Sequence, residues 1–209
     1  MNKNNLIEIV KSDGNRISAT SFPGIFFRFH GENNHIILHE GTKFTDCIMV
    51  LMSNNIIEIG QSKFGISNLK IWGNQSNIGI GKDFSCWGTE IRCHEKNTLV
   101  QIGNDCMFSE EITIYPTDVH AIYEQSTGKL LNLGGEVIIG DHVWCGRKVS
   151  ILKGSVVRNN SVIAINSLLN KPFEESNIII GGLPAKVLKH NINWSRESPW
   201  DYQQRNKIG

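Results

Sequence analysis

From Ile139 to Glu174 the chain repeats with a period of six: IGDHVW, CGRKVS, ILKGSV, VRNNSV, IAINSL, LNKPFE. The first position of each hexad is Ile139, Cys145, Ile151, Val157, Ile163 or Leu169, always apolar. The fifth is mostly small or β-branched: Val143, Val149, Ser155, Ser161 and Ser167, with Phe173 closing the run. Between them stand Gly, Asn, Asp and Lys, which form turns or face solvent. No helix has a period of six, and a simple strand alternates with a period of two. A strict six therefore calls for a short strand, a turn and another short strand, each sending one apolar side chain inward. Three such sides close a triangular coil, and stacked coils pair their strands in parallel. The expected fold is an all-β solenoid that buries its apolar ladder only by stacking coil on coil.

A looser repeat precedes the strict one: NNHIILHEG, NNIIEIG, SNIGIGKD, NTLVQIGND, EVIIGDH. Ile59, Ile80, Ile102 and Ile139 align, and Ile37 fits one step before Ile59. The long last step, from Ile102 to Ile139, implies an insertion at about 120–136, HAIYEQSTGKLLNLGGE. Its glycines and polar residues mark an exposed loop on the coil. The chain reads as a single domain: an N-terminal cap over 1–32, coils over 33–180 and a C-terminal cap over 181–209, the last expected to fold back over the final coil with a short helix. The 209 residues suffice for one core.

Lys and Arg number 21 against 20 Asp and Glu, so no global field favours nucleic acid. The charge is uneven: residues 137–209 hold ten basic and five acidic residues, net +5, which against +1 overall leaves −4 for the rest. A basic C-terminal part suits a phosphorylated ligand and equally suits a solvated surface. No stretch is long and apolar enough to span a bilayer or to act as a signal peptide. Cys47, Cys86, Cys93, Cys106 and Cys145 form no CxxC pair and read as packed, reduced thiols of a cytoplasmic protein. No metal is expected.

Two residues have the setting for chemistry. His120 stands where the hexads break, at the base of the loop, and an imidazole can both take and return a proton near neutral pH. Trp144 occupies the outward sixth position of its hexad, where an indole serves better as a ligand wall than as packing.

Residues 55–190 resemble the hexapeptide-repeat, left-handed β-helix acyltransferases, in particular their sugar O-acetyltransferase branch. The likeness rests on TDVHAIYEQSTGKLLN, IGDHVWCGRKVSILKGSVV, the coil ending SLLNK, and GGLPAKVLK. Within that branch the spacing from His120 to Trp144, and the lack of an N-terminal helical segment, are most similar to the bacterial capsular polysialic acid O-acetyltransferases. The resemblance implies acetyl-CoA as co-substrate, a carbohydrate acceptor (an anionic capsular polysaccharide), and a homotrimer with sites between subunits, at work in the cytoplasm or beside the inner membrane face. It implies His120 as general base and Trp144 as its partner at the thioester. For the coenzyme it implies Trp144, Gly146, Arg147, Ala164, Ile165, Asn170, Lys171, Lys186 and Lys189. Two departures stand out: Ala164-Ile165-Asn166 replaces the usual G-A-G, and Leu183-Pro184 the usual N-P.

Other readings weigh against this one. A small sugar, nucleotide-sugar or antibiotic could be the acceptor. A non-catalytic solenoid could serve as an assembly or binding module. A zinc hydratase would need three histidines in one site, with His94, His120 and His142 available, and a Cys86, Cys93, His94 set is the other metal option. Cys145, next to Trp144, invites a thiol nucleophile, although its hexad position points it inward.

Overall fold

A computed structural model describes residues 4–206; the outermost residues of the two expected caps, 1–3 and 207–209, lie outside it. The described chain forms short strands and one helix, Pro199–Asn206. The strands assemble into three sheets of eight, eight and seven, and between Ile25 and Leu169 every third strand returns to the same sheet beside its predecessor. This is a β-solenoid of about seven turns, with parallel pairing throughout the coils. In one turn the chain visits a first face at Leu99–Ile102, a second at Met107–Phe108 and a third at Ile112–Tyr115.

The hexad residues fall where their period places them. Ile139, Cys145, Ile151, Val157, Ile163 and Leu169 are all buried, as are Val143, Val149, Ser155, Ser161 and Ser167. On the second face Phe44, Ile66, Cys86, Phe108, Cys145, Ile163 and Ile180 pair one above another in a single inward column. On the first face Ile59, Ile80, Ile102, Ile139 and Val157 do the same. One step earlier the partner of Ile59 is Leu38; the expected Ile37 pairs with Glu58. Ile36, Ile37 and Leu38 are all buried, so alternation in this strand does not mark which residue points inward.

The corners require backbone that few residues adopt. Asp83, Asp105, His142, Asn160 and Asn177 take the left-handed conformation where the first face turns into the second. Beside them Gly81, Gly103 and Gly140 stack so closely that a Cβ on Gly103 would lie 2.6 Å from the Gly140 carbonyl. At the corner between the third and first faces, buried Asn34 and Asn55 bond to each other (2.7 Å) and Asn34 also to the Met52 carbonyl (2.7 Å), which satisfies their amides inside the stack.

At the N-terminus Leu6–Val10 pairs in parallel with His35–His39 and antiparallel with Arg16–Ala19, and Ile25–Phe29 pairs in parallel with Cys47–Leu51. Residues before 33 thus supply rungs as well as an edge cover. At the other end Ala185–Lys189 folds back antiparallel on Ile179–Gly182. The tail beyond it does not close over the last coil. It runs back along the stack, because the partners of Trp194 and Arg196 lie on earlier coils: His142 for the first, and Ser85, Asp105 and the Asp83 and Cys106 carbonyls for the second.

Candidate active site

The outward residues of the second face form two columns. One runs Gly65, Ser85, Met107, Trp144, Val162; the other runs Ser67, Trp87, Ser109, Gly146, Ala164, Gly181. Trp144 is 40% exposed between Met107 and Val162, as its outward hexad position requires. Toward the C-terminal coils its neighbours are small. A Cβ on Gly146 would come 2.8 Å from the Ile165 amide nitrogen, and one on Gly181 would meet the Ala164 methyl at 2.9 Å. Gly146 and Ala164 thus present little side chain beside Trp144, with Ile165 exposed next to them, whereas Gly181 is buried beneath Leu188.

The tail builds the other wall. The indole of Trp194 lies 6.1 Å from that of Trp144, and Arg196 sits 3.9 Å over the Phe64 ring. A cavity of about 760 Å³ opens between Trp144, Met107 and the tail residues Trp194, Arg196 and Tyr202. A second, of about 480 Å³, lies on the N-terminal side, where Trp144, Met107, Trp87 and Arg196 meet. The sequence reading missed Trp194, Arg196 and Trp87, since each joins the site through packing across many residues and none belongs to a local motif.

Lys171 and Lys186 line one pocket of about 250 Å³ at the last coils. Asn170 and Lys189 are exposed nearby in sequence, Lys189 pairing with Ile179. Arg147 is exposed but paired with Glu110 and Glu111, so its charge is locally balanced.

His120 lies elsewhere. It follows Thr117, buried at the end of the third face, in a connection that is exposed from Asp118 to Leu131. Tyr123 bridges Leu130 within that connection, and Gly134 is tied to Glu95. The Asn132 amide donates to the His120 carbonyl (2.8 Å) and to Asp118 (3.0 Å). Lys153 reaches Asp118 at 2.5 Å, and this ammonium, helped by Asn132, holds the Asp118 carboxyl below its ordinary range. The corner that carries His120, between the third and first faces, lies opposite the second face in a three-sided coil. One chain therefore does not bring His120 and Trp144 together.

The Cys145 thiol is fully buried in the inward column, and burial pushes it well above its usual pKa. A thiol held neutral inside the ladder cannot act as a nucleophile on the face outside. Cys86 and Cys93 are buried as well, and His142 is bound to Asp105 and Trp194. Among the described residues no three His, Cys, Asp or Glu side chains converge as a metal site. No helix among them is long and apolar enough to cross a membrane.

A parallel solenoid with an outward tryptophan, small residues beside it and two lysines lining a pocket at its end has the build of a hexapeptide-type acyltransferase. Comparison with known proteins agrees. No protein-family profile matches the chain. The chain is 36% identical to a polysialic acid O-acetyltransferase of Neisseria meningitidis over 72% of its own length and 80% of the relative's. It is 31% identical to the polysialic acid O-acetyltransferase of Escherichia coli O1:K1 over 60% of its length, spanning 38% of that longer protein. The crystal structure of the polySia-specific acetyltransferase NeuO superposes with a TM-score of 0.75 at 25% identity, covering 92% of this chain and 78% of that one. The chain belongs to the hexapeptide-repeat β-helix acyltransferases and is an acetyltransferase of that family.

Proposed function

We infer that the protein O-acetylates sialic acid residues of a capsular polysialic acid with acetyl-CoA as donor. It acts as a homotrimer of left-handed solenoids, with each site between neighbouring copies and the 120–136 insertion of one copy reaching the second face of the next. The observation that carries this reading is the separation of His120 from Trp144 on opposite sides of the coil. Three-fold closure lays a corner of one prism beside a face of its neighbour, so the same surfaces that cannot meet within a chain meet between chains. The relatives' named substrate supplies the acceptor class.

The coenzyme's pantetheine arm lies along Gly146 and Ala164, beside Arg147 and Ile165, with its phosphates toward Asn170, Lys171, Lys186 and Lys189. The thioester then sits at Trp144. The His120 imidazole takes the proton of the sugar hydroxyl as its oxygen bonds to the thioester carbon. The tetrahedral species collapses with cleavage of the C–S bond, and the imidazolium returns the proton to the leaving thiolate. Acid–base help of this kind contributes roughly 10²–10⁴-fold, and holding both substrates in one cleft contributes more. The Trp144 and Gly146 amides donate to the Ser161 and Ile163 carbonyls of the next coil, which leaves the Trp144 indole N–H to stabilise the oxyanion.

Thiol release from acetyl-CoA tests the reading, run with polysialic acid and with monomeric sugars for the wild type and His120→Ala. Release that needs the polymer and disappears with His120 is expected. Release with monomeric sugars only would discard the polymer. Release unchanged in His120→Ala would discard the base.

A further inference from the structure

We propose that the cavity on the N-terminal side of Trp144 is the acceptor subsite, where one sugar ring lies over the Met107–Ser109 rung against the indole of Trp87. This rests on the acetyltransfer reading above. Every residue assigned to the coenzyme lies on the rung of Trp144 or on later coils, so the donor approaches from the C-terminal side. A hydroxyl attacking a thioester at Trp144 must arrive from the other side, and the opening there is the cavity of about 480 Å³, within the range of small-ligand sites.

Its walls suit a carbohydrate. Trp87 is 73% exposed, the highest value among the large apolar side chains of the described chain, so it contributes little to the core. It stands in the outward column between Ser67 and Ser109, two rungs before Trp144, with the Met107–Ser109 rung between them. Two strand spacings put the Trp87 and Trp144 rungs roughly 10 Å apart along the stack. The two indoles stand in neighbouring columns, two residues apart along the strand, so a sugar ring against Trp87 reaches Trp144 diagonally across the Met107–Ser109 rung. Met107 gives an apolar floor for the C–H face of a sugar, and the Ser67 and Ser109 hydroxyls stand beside it for ring hydroxyls. Arg196, bonded to Asp105, Ser85 and two carbonyls, is a fixed end wall. Trp87 is thus a specificity residue; it positions the acceptor and takes no part in proton transfer.

Calorimetric titration of sialic acid oligomers into wild type, Trp87→Ala and Trp87→Phe tests this, with acetyl-CoA titrated separately and mass followed by light scattering. Trp87→Ala should weaken oligomer binding at least about five-fold, Trp87→Phe should recover most of it, and acetyl-CoA affinity and mass should not change. Wild-type affinity in Trp87→Ala would overturn the proposal, as would a fall in mass, which would assign Trp87 to the contact between copies. Thiol release in the same preparations separates the two readings. Transfer that needs His120, with an unchanged acceptor KM in Trp87→Ala, overturns the subsite alone. A wild type that binds oligomers at Trp87 but transfers nothing overturns the acetyltransfer reading alone, and one that neither binds nor transfers overturns both.

Discussion

The Trp194 indole stacks on the His142 imidazole with ring centroids 4.2 Å apart and planes 10° from parallel. Their backbones are joined to the same rings: the Trp194 indole N–H donates to the His142 carbonyl (2.8 Å), and His142 Nε2 lies 3.1 Å from the Trp194 carbonyl. His142 Nδ1 lies 2.7 Å from Asp105, whose other oxygen accepts from Arg196. The tail is therefore held at two adjacent points on one carboxylate, next to Trp144.

Removing either point should free the tail without unfolding the coils, because the helix Pro199–Asn206 buries no residue and the core ladder is untouched. In Trp194→Ala, amide exchange over 194–206 is expected to rise at least about ten-fold, equivalent to about 1.4 kcal/mol, while exchange in the inward strands stays as it was. Acetyl transfer should fall with it through loss of the cavity wall. Unchanged exchange in the tail would show that the stack holds nothing.

Asp118 and Lys153 tie the base of the His120 connection, and the sign of their pH dependence follows from the lowered Asp118 pKa. A carboxyl whose folded pKa lies below the ordinary 3.8 contributes order above that value and loses it as pH falls through the lowered one. Amide exchange over 118–132, corrected for intrinsic rate, should thus be flat from neutral pH to about 5 and rise only below the ordinary aspartate range. In Lys153→Met the Asp118 carboxyl, followed by NMR, should titrate closer to 3.8. An Asp118 titration unmoved by that substitution would remove Lys153 as its cause.

The inward position of Cys145 makes a second kinetic expectation. Cys145→Ala deletes one sulfur from a fully packed column and should cost about 1–2 kcal/mol in stability, yet leave kcat close to wild type. All five thiols are buried, so a thiol reagent should label none in the native protein and all five after denaturation. Loss of transfer in a folded Cys145→Ala protein would reinstate the thiol.

The fold was largely written in the period of six, because in a solenoid each rung repeats one local problem: an inward residue, a turn, another inward residue. Hexad residues such as Cys145 and Ser161 could be placed inside from spacing alone. Spacing failed at HIILH, where Ile36, Ile37 and Leu38 are all buried and only pairing with Ile57 and Ile59 selects the register. It also failed for the tail, whose Trp194 and Arg196 find partners 52 and up to 113 residues away. Trp144 was legible as an outward residue, whereas the wall opposite it depends on those distant contacts. Nor could spacing reveal that His120 and Trp144 fall on opposite sides of one coil.

That separation yields a prediction that does not depend on the acceptor. If each site takes His120 from one copy and Trp144 from the next, His120→Ala and Trp144→Ala chains, each inactive alone, should complement when mixed. In a trimer assembled at random from equal amounts, a site is whole when its histidine comes from the Trp144→Ala chain and its tryptophan from the His120→Ala chain. That holds for about one site in four, so about a quarter of wild-type transfer should return after unfolding and refolding the mixture together. Mixing folded proteins without exchange of subunits should return none, which separates complementation from a contaminating activity. A site contained in one chain would give no recovery under either protocol, because every chain would carry one damaged residue.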